Sequence, residues 1–274
     1  MKRLCLPAGA ALLLCGCTHL FFKPTNHIHS DPASEGYAYE PIKFASLDGT
    51  PLTGMFFRPP SAPRATVVHF HGNGENMTSH YRYSAWLAKE GYNVFIFDYR
   101  GYGASGGKPG LDGAVLDGRA ALAHALKLPG ADPEKIVVFG QSLGGAIAIA
   151  AAAEGAVAPA ALVIEGSFYS YRSMARSALK KGILGWPLLW LPGLAVSGRH
   201  APADLAGRLA APKVFLHSPT DRMVPYSEGR RLYDAARGPK EFWEVPSGHI
   251  EAFAAHAPLF APRLLRFLAA VLPA

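Results

Sequence analysis

The feature that most constrains this chain is a pentapeptide with a serine at its centre and a glycine at each end. Gly140-Gln141-Ser142-Leu143-Gly144 follows the strand-like run 135–139 and opens an alanine-rich stretch, 143–154. Glycine at both ends permits a sharp backbone corner, because larger side chains there would collide with neighbouring backbone. The pattern predicts a strand, a tight turn that holds Ser142, and a helix that starts at the turn.

Short apolar runs alternate with helical patterns through the rest of the chain. Segments 41–45 and 52–57, separated by Asp48-Gly49, predict a β-hairpin. Further strands are expected at 65–70, 93–97, 160–164, 213–216 and 241–245, and further helices at 81–90, 112–127 and 227–237. Apolar strands that alternate with helices favour an α/β fold, in which a mostly parallel central sheet has helices on both faces.

Segment 168–205 interrupts this alternation. It contains Lys180-Lys181 and an uncharged stretch, 182–192, in which prolines and glycines argue against a membrane helix. We expect a short cap inserted after one strand. Its apolar residues either pack in the core or form an apolar wall for an acyl group.

The N-terminus has the pattern of a secretion signal. Lys2 and Arg3 precede the apolar run 10–14, which is too short to span a bilayer as a stable helix. All three cysteines of the chain lie within its first 17 residues, at Cys5, Cys15 and Cys17. The run Leu14-Cys15-Gly16-Cys17 resembles the lipobox of bacterial lipoproteins, which implies acylation of Cys17. A plain secretory signal with incidental cysteines is the alternative.

This pattern divides the chain into a signal peptide (1–16), a tether (17–38) and a globular body (39–274). The tether is polar, and no cysteine or carboxylate with the spacing of metal ligands accompanies its histidines, so we expect a solvated linker. Thr18 stands where lipoproteins of the inner membrane often carry Asp. The resemblance therefore implies a lipid anchor in a bacterial cell envelope, at the outer membrane in a host that has one.

Two further motifs flank predicted strands. His71-Gly72-Asn73-Gly74-Glu75-Asn76 follows the strand at 65–70, and Asp98–Ser105 follows the strand at 93–97. With the serine turn, these motifs make residues 40–270 similar to the α/β-hydrolases with a Ser-Asp-His triad. The resemblance implies that Ser142 is the nucleophile, and that the backbone N–H groups of Asn73 and Leu143 hold the oxyanion.

Chain order places the acid and the base of such a triad after the serine. Asp221 lies just beyond the strand at 213–216, and His249 follows the last strand and is expected to open the final helix. Ser142 is a poor nucleophile until His249 accepts its proton, and Asp221 would fix the imidazole tautomer.

Each of these two positions has rivals. Glu165, at the end of the strand at 160–164, is an alternative acid. His217 and His256 are alternative bases, although His217 closes a strand and His256 falls inside a predicted helix. We favour Asp221 and His249.

The predicted activity is hydrolysis of a carboxylic ester or thioester through an acyl-enzyme, with a small-molecule acyl substrate. A peptidase of the same fold is the second hypothesis, since a triad does not specify which bond is cleaved. It ranks below the esterase because such peptidases commonly carry a large gating domain, which we do not expect here. A non-catalytic envelope lipoprotein is the third hypothesis.

Other classes of protein have little support in the sequence. A net charge of +7 without a dense basic stripe argues against binding of nucleic acid. The glycines of 101–106 match a dinucleotide fingerprint, but Pro109-Gly110 interrupts the expected helix start and no second βα unit offers the ribose-binding acid. No cofactor or metal motif is present, and the predicted chemistry needs none.

Overall fold

A single sheet of eight strands organises the protein. The computed structural model describes residues 21–180 and 183–272. The strands are β1 (Glu40–Ala45), β2 (Pro51–Phe57), β3 (Thr66–Phe70), β4 (Asn93–Asp98), β5 (Ile136–Gln141), β6 (Ala161–Glu165), β7 (Lys213–His217) and β8 (Lys240–Glu244). Their spatial order is β1-β2-β4-β3-β5-β6-β7-β8. β1 and β2 form the antiparallel edge, and β3 to β8 run parallel, so the predicted α/β fold is confirmed.

Helices cover both faces of this sheet. They are α1 (Met77–His80), α2 (Leu111–Ala125), α3 (Leu143–Glu154), α4 (Tyr171–Lys180), α5 (Pro192–Ala195), α6 (Pro202–Ala206), α7 (Tyr226–Ala235) and α8 (Ala257–Val271). One apolar core joins the sheet to α2, α3, α6 and α7, and a second joins its other face to α8 and the segment 77–88. Burial on both faces explains why the parallel strands are apolar throughout.

The region predicted as one helix over 81–90 is two short 3₁₀ helices, Tyr81–Tyr83 and Ala85–Glu90. Ser84 separates them with φ near −131°, and its hydroxyl bonds the buried Nδ1 of His69 at 2.8 Å. The need to satisfy that buried ring outweighs the local helical pattern.

The predicted cap region lies between β6 and β7. In its described part it folds into α4, a 3₁₀ helix (Ile183–Leu188), α5 and α6. α6 packs against α3 and α7, whereas α4 and α5 contact each other and form an apolar groove described below.

The N-terminal segment differs from the solvated tether that we predicted. Over 21–38 most side chains are exposed, but Phe22 is buried in the core. The Thr25 carbonyl accepts the Gly103 N–H at 2.9 Å, and the Asn76 amide donates to the carbonyls of Thr25 and His27 at 3.0 and 2.7 Å. Aromatic side chains and hydrogen bonds to its backbone carbonyls therefore fix this segment to the body.

The contact between α3 and the end of β3 depends on Gly144. A Cβ atom at this position would collide with the backbone carbonyls of Phe70 and His71. Only glycine lets the helix come this close, because the atoms in its way are main chain and cannot turn aside.

Replacing Gly144 by Ala should lower the free energy of unfolding by about 1–3 kcal/mol. Alanine favours a helix over glycine by up to ~1 kcal/mol, so a gain would mean that helix propensity outweighs the collision. Urea titration measures the change. Gly193→Ala in α5 is the control, since a Cβ there would meet only Arg176 at 3.6 Å; equal stability changes in the two variants would contradict the argument.

Candidate active site

Ser142 occupies a strained backbone corner between β5 and α3. Its φ of 53° and ψ of −119° lie in a region that non-glycine residues rarely adopt. The Ser142 N–H donates to the Glu165 carbonyl of β6 at 2.8 Å, and a Cβ at Gly140 would lie 2.7 Å from the Gly145 Cα. Neighbouring backbone thus holds the corner from two sides and leaves the serine side chain partly exposed at the sheet edge.

The predicted oxyanion loop runs directly beside this corner. β3 and β5 are parallel neighbours, so the chain leaves both at the same edge of the sheet. A Cβ at Gly72 would lie 3.7 Å from the Ser142 Cβ. In open α/β sheets this edge, where successive connections leave in opposite directions, is the usual position of a ligand crevice.

The side chain of Asn73 holds the oxyanion loop in place. Its Oδ1 accepts the Lys23 N–H at 2.8 Å, the Gly74 N–H at 2.9 Å and the Tyr102 hydroxyl at 2.9 Å. These three hydrogen bonds fix the side chain of Asn73 and, with it, the position of the loop beside Ser142.

Asp221 and His249 meet in a short hydrogen bond. Nδ1 of His249 lies 2.6 Å from Oδ2 of Asp221, whose side chain is only 1% exposed. Burial alone would raise the pKa of this carboxyl, but the bond to His249 and the N–H groups of Val224 and Met223 outweigh it and hold the pKa below its usual range. The aspartate is therefore ionised and accepts a hydrogen bond from the N–H group at Nδ1.

The loop that carries His249 departs from the sequence prediction. His249 does not open the final helix: α8 begins at Ala257, directly after His256, and His249 lies in the loop before it. The intervening loop turns through left-handed conformations at Gly248 and Ile250. The Glu165 carboxylate anchors it by accepting the Ala252 N–H at 2.8 Å. This turn carries the imidazole back over the sheet edge, where a Cβ at position 166 would lie 3.1 Å from its Cε1.

The rival residues are buried or paired elsewhere, although Nε2 of His217 also lies 3.4 Å from Oδ2 of Asp221. Glu165 is fully buried and accepts the Gln141 amide at 2.8 Å, and burial raises its pKa to about 7. His217 is buried, with Nε2 3.0 Å from the Val224 carbonyl, and burial lowers its pKa. His256 pairs with the Ser247 hydroxyl at 3.1 Å. Asp221, rather than Glu165, is thus the carboxylate hydrogen-bonded to His249.

One cleft of about 220 Å³ brings together the predicted site residues that reach the surface. Ser142, Leu143, Asn73 and His249 all line it, and Asp221 lies beneath His249. The remaining wall is mostly apolar and includes Phe168, Met174, Met223, Val224 and Ile250.

Phe21 and Lys23 also line this cleft, and the sequence analysis missed both. The signal was the aromatic pair Phe21-Phe22 at the start of an otherwise polar segment. Two adjacent aromatic rings there indicate contact with the body, because their exposure to water is unfavourable.

The predicted lipid-attachment residue, Cys17, lies outside the described residues, as does the predicted signal peptide 1–16. Within 21–180 and 183–272, no helix has both the length and the apolar character that a bilayer crossing requires. The same ranges contain no cluster of three or more His, Cys, Asp or Glu side chains arranged to hold a metal ion.

Buried neutral histidines lie beneath the site. His69 is wholly buried between Ser84 and Gln141, and burial lowers its pKa well below the usual value. Burial also lowers the pKa of His80, 6% exposed next to the oxyanion loop, to about 3. Below pH 6.5 the unfolded chain binds a proton at this position that the folded protein does not, so acid destabilises the fold.

Replacing His80 by Leu should flatten the acid loss of stability. Between pH 6.5 and 4.5 the free energy of unfolding of the variant should fall by about 2 kcal/mol less than that of the parent protein. Urea titrations across this range measure the slope. His27→Leu, at an exposed histidine, should leave the slope unchanged. A His80→Leu slope equal to that of the parent would show that His80 is protonated in the folded protein.

Comparison with known proteins gives the family. The family model described as Hydrolase_4, serine aminopeptidase, S33, matches residues 61–206. The protein YfhR of Salmonella typhimurium is 31% identical over 271 residues, covering 93% of this chain and 88% of YfhR. The α/β hydrolase domain-containing protein WAV2 of Arabidopsis thaliana is 32% identical over 277 residues, covering 95% of this chain and 90% of WAV2.

A solved structure has the same fold at lower identity. The Pyrococcus furiosus esterase Pf2001 superimposes with a TM-score of 0.75 at 22% identity, covering 92% of this chain and 99% of the esterase. The extended sequence matches and the shared sheet lead to one conclusion: the chain belongs to the Hydrolase_4 (S33) family and is a serine hydrolase of the α/β fold.

Proposed function

We propose that this protein hydrolyses carboxylic esters or thioesters through an acyl-enzyme on Ser142, with His249 as base and Asp221 as its partner. The observation that carries the proposal is the 2.6 Å bond between His249 Nδ1 and Asp221, at a cleft that Ser142 also lines. Because Nδ1 bears the proton of the neutral ring, Nε2 is left as the acceptor.

The proposed reaction has two stages. Ser142 Oγ attacks the carbonyl carbon while its proton passes to His249 Nε2, and the alcohol or thiol then leaves with that proton. Water repeats the sequence on the acyl-enzyme, so that the acid is released and the serine hydroxyl regenerated. Asp221 stays ionised throughout and stabilises the imidazolium that forms in each stage.

The oxyanion of each tetrahedral intermediate would bind the backbone N–H groups of Asn73 and Leu143. Leu143 is the first residue of α3, where the partial positive charge of the helix favours an anion. The three bonds to the Asn73 side chain support the loop on the other side. Preorganised donors of this kind typically contribute about 10²–10³ in rate each.

The cleft wall favours an ester substrate over a peptide with a free N-terminal amino group. The matched family is named for a serine aminopeptidase, which makes release of an N-terminal residue the second candidate. A free amino group in a desolvated site needs a carboxylate partner. Among the described residues that line the cleft there is no Asp or Glu, and the lysine present would repel an ammonium group.

Replacing Ser142 by Ala should lower kcat/KM for p-nitrophenyl butyrate by at least about 10⁴-fold, and Asp221→Asn should lower it by about 10⁴-fold. The first change removes the nucleophile, and the second removes the negative charge and places an N–H₂ donor near Nδ1, which favours the wrong tautomer of the imidazole. Labelling with a fluorophosphonate probe should disappear in Ser142→Ala.

Ser34→Ala, at an exposed serine, is the control and should retain full activity and labelling. Faster release of p-nitroaniline from leucine p-nitroanilide than of p-nitrophenol from the ester would favour the aminopeptidase. Probe labelling that survives Ser142→Ala would refute the assignment of the nucleophile.

We further propose that Cys17 carries lipid and holds the protein in a bacterial cell envelope. The support is the run Leu14-Cys15-Gly16-Cys17 behind a short apolar stretch with two basic residues before it. Acyl chains on one residue would supply the attachment, while the hydrolase body remains outside the bilayer.

Replacing Cys17 by Ser should move the full-length protein from the membrane fraction to the soluble fraction and abolish incorporation of labelled palmitate in a bacterial host. Fractionation with immunoblotting measures the shift. Cys5→Ser is the control and should stay with the membrane, because the acylated position is intact. A Cys17→Ser chain that remains membrane-bound and labelled would rule out this anchor.

A further inference from the structure

An apolar groove lies beside the catalytic cleft. It has a volume of about 500 Å³ and runs between α4 and α5. Every described residue that lines it is apolar; six of them are Phe21, Met174, Ala178, Leu191, Ala195 and Val196. A groove without a polar side chain in its wall suits a hydrocarbon ligand, because such a ligand makes no unsatisfied hydrogen bond there.

The groove and the catalytic cleft share two wall residues. Phe21 and Met174 line both spaces, so the two are adjacent and these side chains form part of the wall between them. Phe21 is held in position by an edge-to-face contact with Tyr171, at a centroid distance of 5.6 Å. The N-terminal segment therefore supplies part of the wall between the reacting serine and the groove.

The chain segment next to the α5 wall of the groove also carries exposed apolar side chains. Trp186, Trp190 and Leu194 belong to the segment that carries its α5 wall, and they are 63%, 61% and 59% exposed. Exposed apolar side chains gathered next to an apolar groove mark a binding surface for an apolar partner. Both observations point to the same chemistry, a hydrocarbon chain that enters from this side.

We propose that the groove receives the acyl chain of a long-chain ester or thioester whose carbonyl lies at Ser142. This inference rests on the proposed function and adds its substrate class. The acyl chain would run from the cleft past Phe21 and Met174 into the groove, while the alcohol or thiol part remains on the solvent side. Each methylene that the groove buries should raise kcat/KM by up to about fourfold.

The test compares p-nitrophenyl butyrate with p-nitrophenyl dodecanoate, both below the concentrations at which they aggregate. The full-length protein should prefer dodecanoate by at least about tenfold in kcat/KM. Ala178→Trp and Ala195→Trp each place an indole in the groove, and neither residue lines the catalytic cleft, so either should abolish most of this preference by lowering dodecanoate hydrolysis far more than butyrate hydrolysis. Ala269→Trp, on the exposed face of α8, is the matched control and should behave as the parent.

A measurement on the unmodified protein keeps the test independent of how the variants fold. Sodium dodecanoate should inhibit butyrate hydrolysis competitively, at a concentration at least about tenfold lower than sodium hexanoate. Equal hydrolysis of the two esters, together with equal inhibition by the two acids, overturns the inference while the proposed function stands. That result would point to another occupant, such as the residues that precede Phe21. Hydrolysis of neither ester refutes the proposed function itself and the inference with it.

Discussion

The close approach of α3 to the carboxyl ends of β3 and β5 is the constraint on which the site depends. Gly144 and Gly145 permit this approach, because side chains there would meet the backbone of β3 and the Ser167 side chain. The approach sets the Ser142 corner beside Gly72 and brings the first N–H groups of the helix to the cleft. One steric requirement thus positions Ser142 and the first backbone N–H groups of the helix that begins beside it.

A buried chain of polar groups supports this arrangement from below. Ser84, His69, Gln141 and Glu165 are linked by hydrogen bonds of 2.8 to 3.1 Å, and Glu165 then holds the Ala252 N–H of the His249 loop. Fully paired polar groups in a core specify one arrangement, since any shift leaves a buried donor or acceptor unsatisfied. These linked polar groups therefore couple the strands beneath Ser142 to the loop that carries His249.

The N-terminal segment is part of the site rather than a spacer in front of it. The Lys23 N–H donates a hydrogen bond to the Asn73 side chain, and Phe21 lies in the wall of both the cleft and the apolar groove. If Cys17 is acylated, as we propose, only three residues separate the lipid from Phe21. The anchor and the substrate groove would then lie at the same end of the molecule, which suits an amphiphilic ester drawn from a membrane.

Local sequence determined the order of strands and helices, the corner at Ser142 and the loop 71–76 beside it, because each depends on short-range periodicity or on glycines at fixed spacing. Chain order and the family resemblance also identified Asp221 and His249 as partners. Only the tertiary structure decided that Asp221 and not Glu165 bonds the imidazole, that His249 sits in a loop ahead of α8, and that Phe21 borders the cleft. These outcomes depend on which buried groups find partners across distant segments, and no local pattern in the chain encodes that choice.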